Sequence, residues 1–306
     1  MTDSVGTPLF WGAFLAGVVV LLALDLGVVH RAARVESLRQ ALLWSVAWVV
    51  VSIAFGIWVY LRLGRQAGLE FFAGYLIEKA LSVDNIFVFV LIFSYFAVPA
   101  RLHHKVLFWG ILGALVMRAG FIVAGTALIR TFHWVIYVFG ALLLYSGFKI
   151  LTQGDKKVEP QRNPLVRRLQ RFLPMSTDYA GEGFFVRQGH RIVATPLALV
   201  LVTVETTDIV FAVDSIPAIF GVTTDPFIVY TSNVCAILGL RALYFVLAAV
   251  IDRFVYLGAG LGVVLMFIGA KMLLSGILPI GIEVSLSVVA AVLAISIALS
   301  IFKTGR

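Results

Sequence analysis

Glu78-Lys-Ala-Leu-Ser-Val-Asp84-Asn85-Ile86 and Asp208-Ile-Val-Phe-Ala-Val-Asp214-Ser215-Ile216 are the two strings whose reading decides the fold. In each, one acid follows another six positions later, and a small amide or hydroxyl and then Ile come next. Each sits in an apolar run, where an ionised side chain costs roughly 2.5–3.5 kcal/mol or more and is rare. One run further on, Gly110-Ile-Leu-Gly-Ala-Leu-Val-Met-Arg118-Ala119 matches Asn233-Val-Cys-Ala-Ile-Leu-Gly-Leu-Arg241-Ala242. In the run after that, Gly140, Gly147 and Lys149 match Gly262, Gly269 and Lys271 at identical internal spacing. Aligned acids, arginines and lysines in three successive runs make chance likeness between apolar helices a poor account. A unit of three crossings begins on one side of a membrane and ends on the other, so its copy starts from the opposite face and the repeats are inverted. Inverted repeats are the usual build of secondary transporters, with sites near the midplane.

Working outward, the 306 residues are 61% hydrophobic and 13% charged, whereas a soluble domain is roughly a quarter charged. That excludes a water-soluble globule and disorder, and the single cysteine excludes a disulfide scaffold. Apolar runs near 8–29, 40–61, 71–97, 106–128, 132–151, 193–220, 227–250, 256–277 and 280–302 predict about nine transmembrane helices. The first run has no basic n-region and no small-residue cleavage site and contains Asp25, so it reads as a retained helix. The expected fold class is an all-α polytopic membrane protein, a single membrane domain over 1–306. Within it, 66–151 forms the first three-helix repeat (spans 3–5) and 193–278 the second (spans 6–8).

Loop charges set the orientation. With the N-terminus outside, inner loops hold 16 Lys and Arg and outer loops three, which predicts N-out and C-in. The net charge of +8 is therefore a topology signal and an attraction to anionic lipid, with no nucleic-acid partner expected. The long inner loop, 152–192, is read as carrying a surface helix around Leu165–Leu173 and a hairpin turning at Gln188-Gly189.

Six acids (Asp25, Glu78, Asp84, Glu205, Asp208 and Asp214) and five bases (Lys79, Arg118, Lys149, Arg241 and Lys271) fall within the apolar runs. The set is short of positive charge, which a bound cation or protons would supply. At about 100° per residue, Glu78, Ser82 and Asn85 share one stripe, and Asp84 lies about 120° from Glu78. Glu205, Asp208, Ala212 and Ser215 form a similar stripe, with Asp214 to the side. Either the off-stripe acids meet the intramembrane arginines, or the helices unwind near Asp84-Asn85 and Asp214-Ser215-Ile216-Pro217 and free carbonyl oxygens. Carboxylate, amide, hydroxyl and carbonyl oxygens suit Mg²⁺, Ca²⁺ or Mn²⁺. The expected metal ligands are Glu78, Asp84, Asn85, Glu205, Asp208, Asp214 and Ser215, with Asp25, Arg118, Arg241, Lys149 and Lys271 as supporting charge. The competing reading makes these acids helix-locking partners of Arg118, Arg241, Lys149 and Lys271.

Glu78-Lys-Ala-Leu-Ser-Val-Asp-Asn-Ile-Phe87 and Glu205-Thr-Thr-Asp-Ile-Val-Phe-Ala-Val-Asp-Ser-Ile-Pro-Ala218 resemble the two signature segments of the TerC/Alx family of bacterial inner-membrane proteins. The resemblance covers nearly the whole chain, and neither string departs from the family pattern. It implies a place in the LysE-type transporter group, with manganese export as the best-supported activity of the Alx branch, and a metal path through Glu78, Asp84, Glu205, Asp208 and Asp214. The family was named for tellurium resistance, and some members are proposed to deliver metal to exported enzymes.

The expected function is therefore a secondary exporter of divalent metal, Mn²⁺ first, in a bacterial inner membrane. It is not an enzyme and has no permanently bound cofactor. Its partners are the metal ion, the bilayer, and a homo-oligomer or the protein-export machinery. Oxyanion transport through Arg118 and Arg241 is opposed by the acid stripes. An intramembrane aspartyl protease lacks its Gly-x-Gly-Asp string.

Overall fold

Apolar runs in lipid must satisfy their own backbone, which selects helices. The computed structural model describes residues 4–29, 38–153, 176, 179, 183–188, 191–249, 256–278 and 280–304, and leaves the side chains of Asp25 and Asp84 undescribed. Its helices are α1 (Pro8–Val29), α2 (Leu38–Leu63), α3 (Arg65–Tyr95), α4 (Ala100–Thr131), α5 (Val135–Gln153), α6 (Pro196–Phe220), α7 (Pro226–Ile237), α8 (Leu240–Ala248), α9 (Leu257–Leu273) and α10 (Ile282–Thr304). Side chains such as Leu61, Val116, Val123, Trp134 and Phe302 stand more than 60% exposed, an outer coat suited to lipid and costly in water. The molecule is an all-α polytopic membrane protein.

Helices occupy all nine expected segments, but not equally. Among the described residues five, α2, α4, α5, α6 and α10, are long and apolar enough to cross a bilayer, and α7 with α8 makes a sixth if the pair is one bent span. The described part of α1 and all of α9 are shorter apolar helices. The 31-residue α3 is long enough, but Glu70, Glu78, Lys79 and Asp84 interrupt its apolar sequence.

Unwinding of spans 3 and 6, one of the two alternatives that the stripe geometry left open, does not occur. Helix α3 runs through Asp84-Asn85, and α6 runs through Asp214 and Pro217 to Phe220. Pro217 has no N–H to give the carbonyl of Val213, yet the backbone stays helical through it and ends three residues later at Phe220. The break lies instead between α7 and α8, which are bent by 42°. Gly239 there has φ +83, and a Cβ on it would lie 2.6 Å from that of Trp48, so conformation and space both require glycine. The carbonyls freed by the break are taken from outside: Ser52 Oγ donates to Cys235 O at 3.2 Å and Lys79 Nζ to Ala236 O at 3.1 Å.

Helices α5 and α9 meet along glycines. A Cβ on Gly140 would lie 3.0 Å from Gly269 O, and one on Gly269 2.7 Å from Gly140 O. Likewise a Cβ on Gly147 would lie 2.5 Å from Gly262 O, and one on Gly262 3.1 Å from Gly147 O. Small residues let the two backbones approach this closely.

The loop hairpin is present, with β1 (Phe185–Gln188) and β2 (Arg191–Ala194) paired antiparallel from Phe185↔Ala194 to Gln188↔Arg191. Residues 165–173, expected as a surface helix, lie outside the described residues. The segment before the hairpin bonds to both sides: Ser176 N donates to Ala194 O of β2 at 2.9 Å, and Tyr179 OH donates to Phe96 O, just after α3, at 2.6 Å.

Candidate functional site

Four helices bring one polar group together in the bundle interior. On α3 the stripe Glu78, Ser82, Asn85 is buried, and on α6 so is Asp208, Ala212, Ser215, as the helical spacing predicts. From α4, Arg118 enters between them and pairs with Glu78 Oε1. Arg118 Nη1 also donates to Ser215 Oγ at 3.3 Å and to Asn233 Oδ1 of α7 at 3.2 Å, while Nη2 donates to Asp208 Oδ1 at 3.3 Å. Asn233 Nδ2 closes the circuit with a 3.1 Å bond to Glu78 Oε2. Arg118 and Glu78 are only 1% and 0% exposed, so water does little to weaken these charges. Two carboxylates share one guanidinium, which leaves the group one positive charge short if both are ionised.

The acids that reach arginine are thus the two on the stripes, and the off-stripe Asp214 does not. Asp214 Oδ1 accepts from Ser146 Oγ of α5 at 2.7 Å, and Lys149, one turn beyond Ser146, is exposed with its ammonium 5.8 Å from the Tyr145 ring centre. Glu205 shares the face of Asp208 but reaches α4 a turn away, against Gly113, where any Cβ would collide with its carboxylate. Of the seven expected ligands, the structure gathers Glu78, Asn85, Asp208 and Ser215, separates Glu205 and Asp214, and leaves the Asp84 side chain undescribed. No group of three or more His, Cys, Asp or Glu side chains placed to hold a metal occurs among the described residues. Arg118, expected only as supporting charge, is central. Arg241 is buried in another small cavity, with Trp48, Phe108, Ile111, Leu238 and Gly239, and Lys271 is partly buried on α9.

Asn233 and Ser82 were not expected as site residues. Asn233 had a signal, since it is the polar residue opposite Gly110 in the repeat match. Ser82 Oγ and Asp208 Oδ2 are buried without a hydrogen-bond partner in the structure. Both residues line a cavity of about 10 Å³ with Asn85, Gly110 and Arg118.

On the other side of Arg118 a cavity of about 830 Å³ opens, lined by Gln66, Glu70, Thr126, His133, Thr223 and Asp225 among others. A four-residue ladder links it to the polar group. On α4 the order is Arg118, Ile122, Thr126; on α6 and the turn after it, Ser215, Ile219, Thr223; on α7, Asn233, Val229, Asp225; on α3, Glu78, Gly74, Glu70. Each step is about 6 Å along a helix. Polar site and polar vestibule are therefore separated by one layer, buried Ile122, Ile219 and Val229 with Gly74. Thr126 Oγ1 is buried there with no partner.

A buried charge cluster thus lies in a bundle of helices with an apolar outer surface, one apolar layer from an open vestibule, and charges at such depth usually mark a functional path. The chain matches the integral membrane protein TerC family over residues 63–306, and it belongs to that family. It is 50% identical over 301 residues to an uncharacterised membrane protein of Myxococcus xanthus, covering 98% of this chain and 94% of that one. It is 49% identical over 300 residues to Alx of Escherichia coli strain K12, whose name calls it a membrane-bound redox modulator, covering 95% and 94%. A membrane protein of Rickettsia bellii is 40% identical, covering 96% and 97%. No solved structure matches the chain.

Proposed function

We propose that this protein is a secondary exporter of divalent metal, Mn²⁺ first, in the bacterial inner membrane, with nine crossings, N-out and C-in, and a 3+3 inverted repeat. The observation that carries the reading is the ladder. Two buried carboxylates, an amide and a hydroxyl face one another across a cation, one apolar layer from a polar vestibule. In this reading the Arg118 guanidinium stands where the cargo binds, and the metal displaces it to reach Glu78 and Asp208. With N-out orientation the vestibule faces outward, so cargo is released past Ile122, Ile219 and Val229. Protons returning on Asp or Glu drive the cycle, and no catalytic step or resident cofactor is involved.

The glycine contacts support the inverted repeat. Gly140 and Gly147 match Gly262 and Gly269 in sequence, and in space Gly140 meets Gly269 while Gly147 meets Gly262. Exchanging the two copies turns one contact into the other, which is the behaviour of a two-fold axis between them. Oxyanion transport is disfavoured because Arg118 is already neutralised by carboxylates. With one cysteine in the chain, and that one buried, a thiol-disulfide cycle cannot run within a single copy. Delivery to proteins of the export machinery is the competing role, and flux without any partner argues against a purely accessory one.

The test is flux from liposomes loaded with a panel of divalent ions. Wild-type protein carries Mn²⁺ and Asp208→Asn does not. An absence of divalent flux in the wild type, with the protein folded and inserted, removes the reading.

A further inference from the structure

We propose that the small cavity beside Asp208 is a second guanidinium seat, the mirror image of the one Arg118 fills, and that Arg241 takes it when the protein faces the other way. This rests on the inverted-repeat transport reading above and deepens it by naming the side chains that change places on the acids.

The repeat match pairs Arg118 with Arg241, Glu78 with Asp208, Asn85 with Ser215 and Gly110 with Asn233. Arg118 is held by Glu78, Asp208, Ser215 and Asn233. Exchanging the copies gives the seat for Arg241: Asp208, Glu78, Asn85 and Gly110. Three of these four, Asp208, Asn85 and Gly110, line the 10 Å³ cavity, and Leu240, the neighbour of Arg241, lines it too. The exchange therefore leads to an actual space in the bundle. That space contains acceptors: Asp208 Oδ2 and Ser82 Oγ are buried there without partners. A buried carboxylate oxygen with no donor is costly, and a guanidinium supplies donors in a planar fork.

The cavity holds about one water, so Arg241 cannot enter while Arg118 stays. Two guanidinium groups on one pair of carboxylates would also place like charges in contact. The seats are therefore filled in turn. Arg241 starts close by, since Ile111 lines both its pocket and the acid cavity. It also follows the bend at Gly239 by two residues, so a change of angle between α7 and α8 moves it. The repeat equivalent of Gly239 is Val116, inside unbroken α4. Cargo is released when one guanidinium leaves the acids and the other replaces it, so the site is never left as two bare carboxylates.

The experiment places a reporter thiol at Thr126→Cys, on the vestibule, or Leu107→Cys, on the small cavity, each with Cys235→Ser. Reaction with an impermeant thiol reagent is followed from each side of sealed vesicles. In Arg241→Gln, position 126 remains reactive and position 107 is protected more than in wild type. In Arg118→Gln the order reverses, with position 107 gaining about tenfold and position 126 losing as much. Shifts in the same direction, or no shift, overturn the proposal. If Arg118→Gln does not fold, Gly239→Ala serves: it holds position 107 protected with or without Mn²⁺, and wild-type reactivity at 107 overturns the proposal. Flux is measured separately. Reciprocal accessibility without divalent flux defeats the transport reading alone, and flux without reciprocity defeats this inference alone.

Discussion

Arg118 and Arg241 occupy the same place in the two copies of one sequence pattern, yet their surroundings differ. Arg118 sits in an unbroken 32-residue helix, held by two acids and two neutral partners. Arg241 sits at the start of a nine-residue helix just past a bend, with Trp48 and Phe108 among its neighbours. Two substitutions between the copies account for much of this. Asn233 gives Arg118 an acceptor and braces Glu78, where the matching Gly110 offers no side chain. Gly239 permits the bend, where Val116 continues the helix. Similar sequence with unequal glycines thus sets one arginine in a continuous helix and the other just past a bend.

The largest expected effect breaks the comparison if it fails. Arg118→Gln leaves Glu78 and Asp208 buried without their cation, a loss of about 3–5 kcal/mol. Thermal melting of the purified protein in detergent checks it, and a loss as large for Arg241→Gln would make the two arginines equivalent. Next comes Gly239→Ala, which forces a side chain to positive φ against Trp48, worth about 1–3 kcal/mol. The exchange in the other copy, Val116→Gly, costs only about 0.5 kcal/mol because Val116 faces lipid and loses mainly helix propensity. Equal melting shifts for these two variants would remove the bend as the source of asymmetry. Gly147→Ala, with its Cβ 2.5 Å from Gly262 O, separates α5 from α9 at a cost of about 1–3 kcal/mol, and Gly269→Ala matches it if the seam is two-fold. The smallest effect is Lys149→Gln, within about 0.5 kcal/mol, since that lysine is exposed and Asp214 keeps its bond from Ser146.

Much of this was legible in the sequence because it depends on local spacing. Apolar runs located every described helix, though one run covered both α7 and α8, the period of 3.6 put Glu78, Ser82 and Asn85 on one face, and the stretch around Gln188-Gly189 was legible as a hairpin. What was not legible depends on partners far along the chain. No spacing rule says that Arg118 lies within reach of Asp208 or that Ser146 waits for Asp214, because those contacts are set by how helices pack. Pro217, the stronger breaker by propensity, made unwinding of span 6 a plausible alternative, but α6 continues through it to Phe220. It was Gly239, under Trp48, that space and φ together compelled. Fewer helices than apolar runs are long and apolar enough to cross, because α3 carries charges along its length and the described part of α1 and all of α9 are short.

Asp225 caps α7 through the amides of Phe227 and Ile228 at 2.8 and 3.1 Å, and it also accepts from Val5 N at 2.7 Å and Ser4 Oγ at 3.1 Å. One carboxylate at the vestibule rim thus joins the first described residues to the helix that carries Asn233. Asp225→Ala would therefore release residues 4 and 5 and uncap α7 in one step.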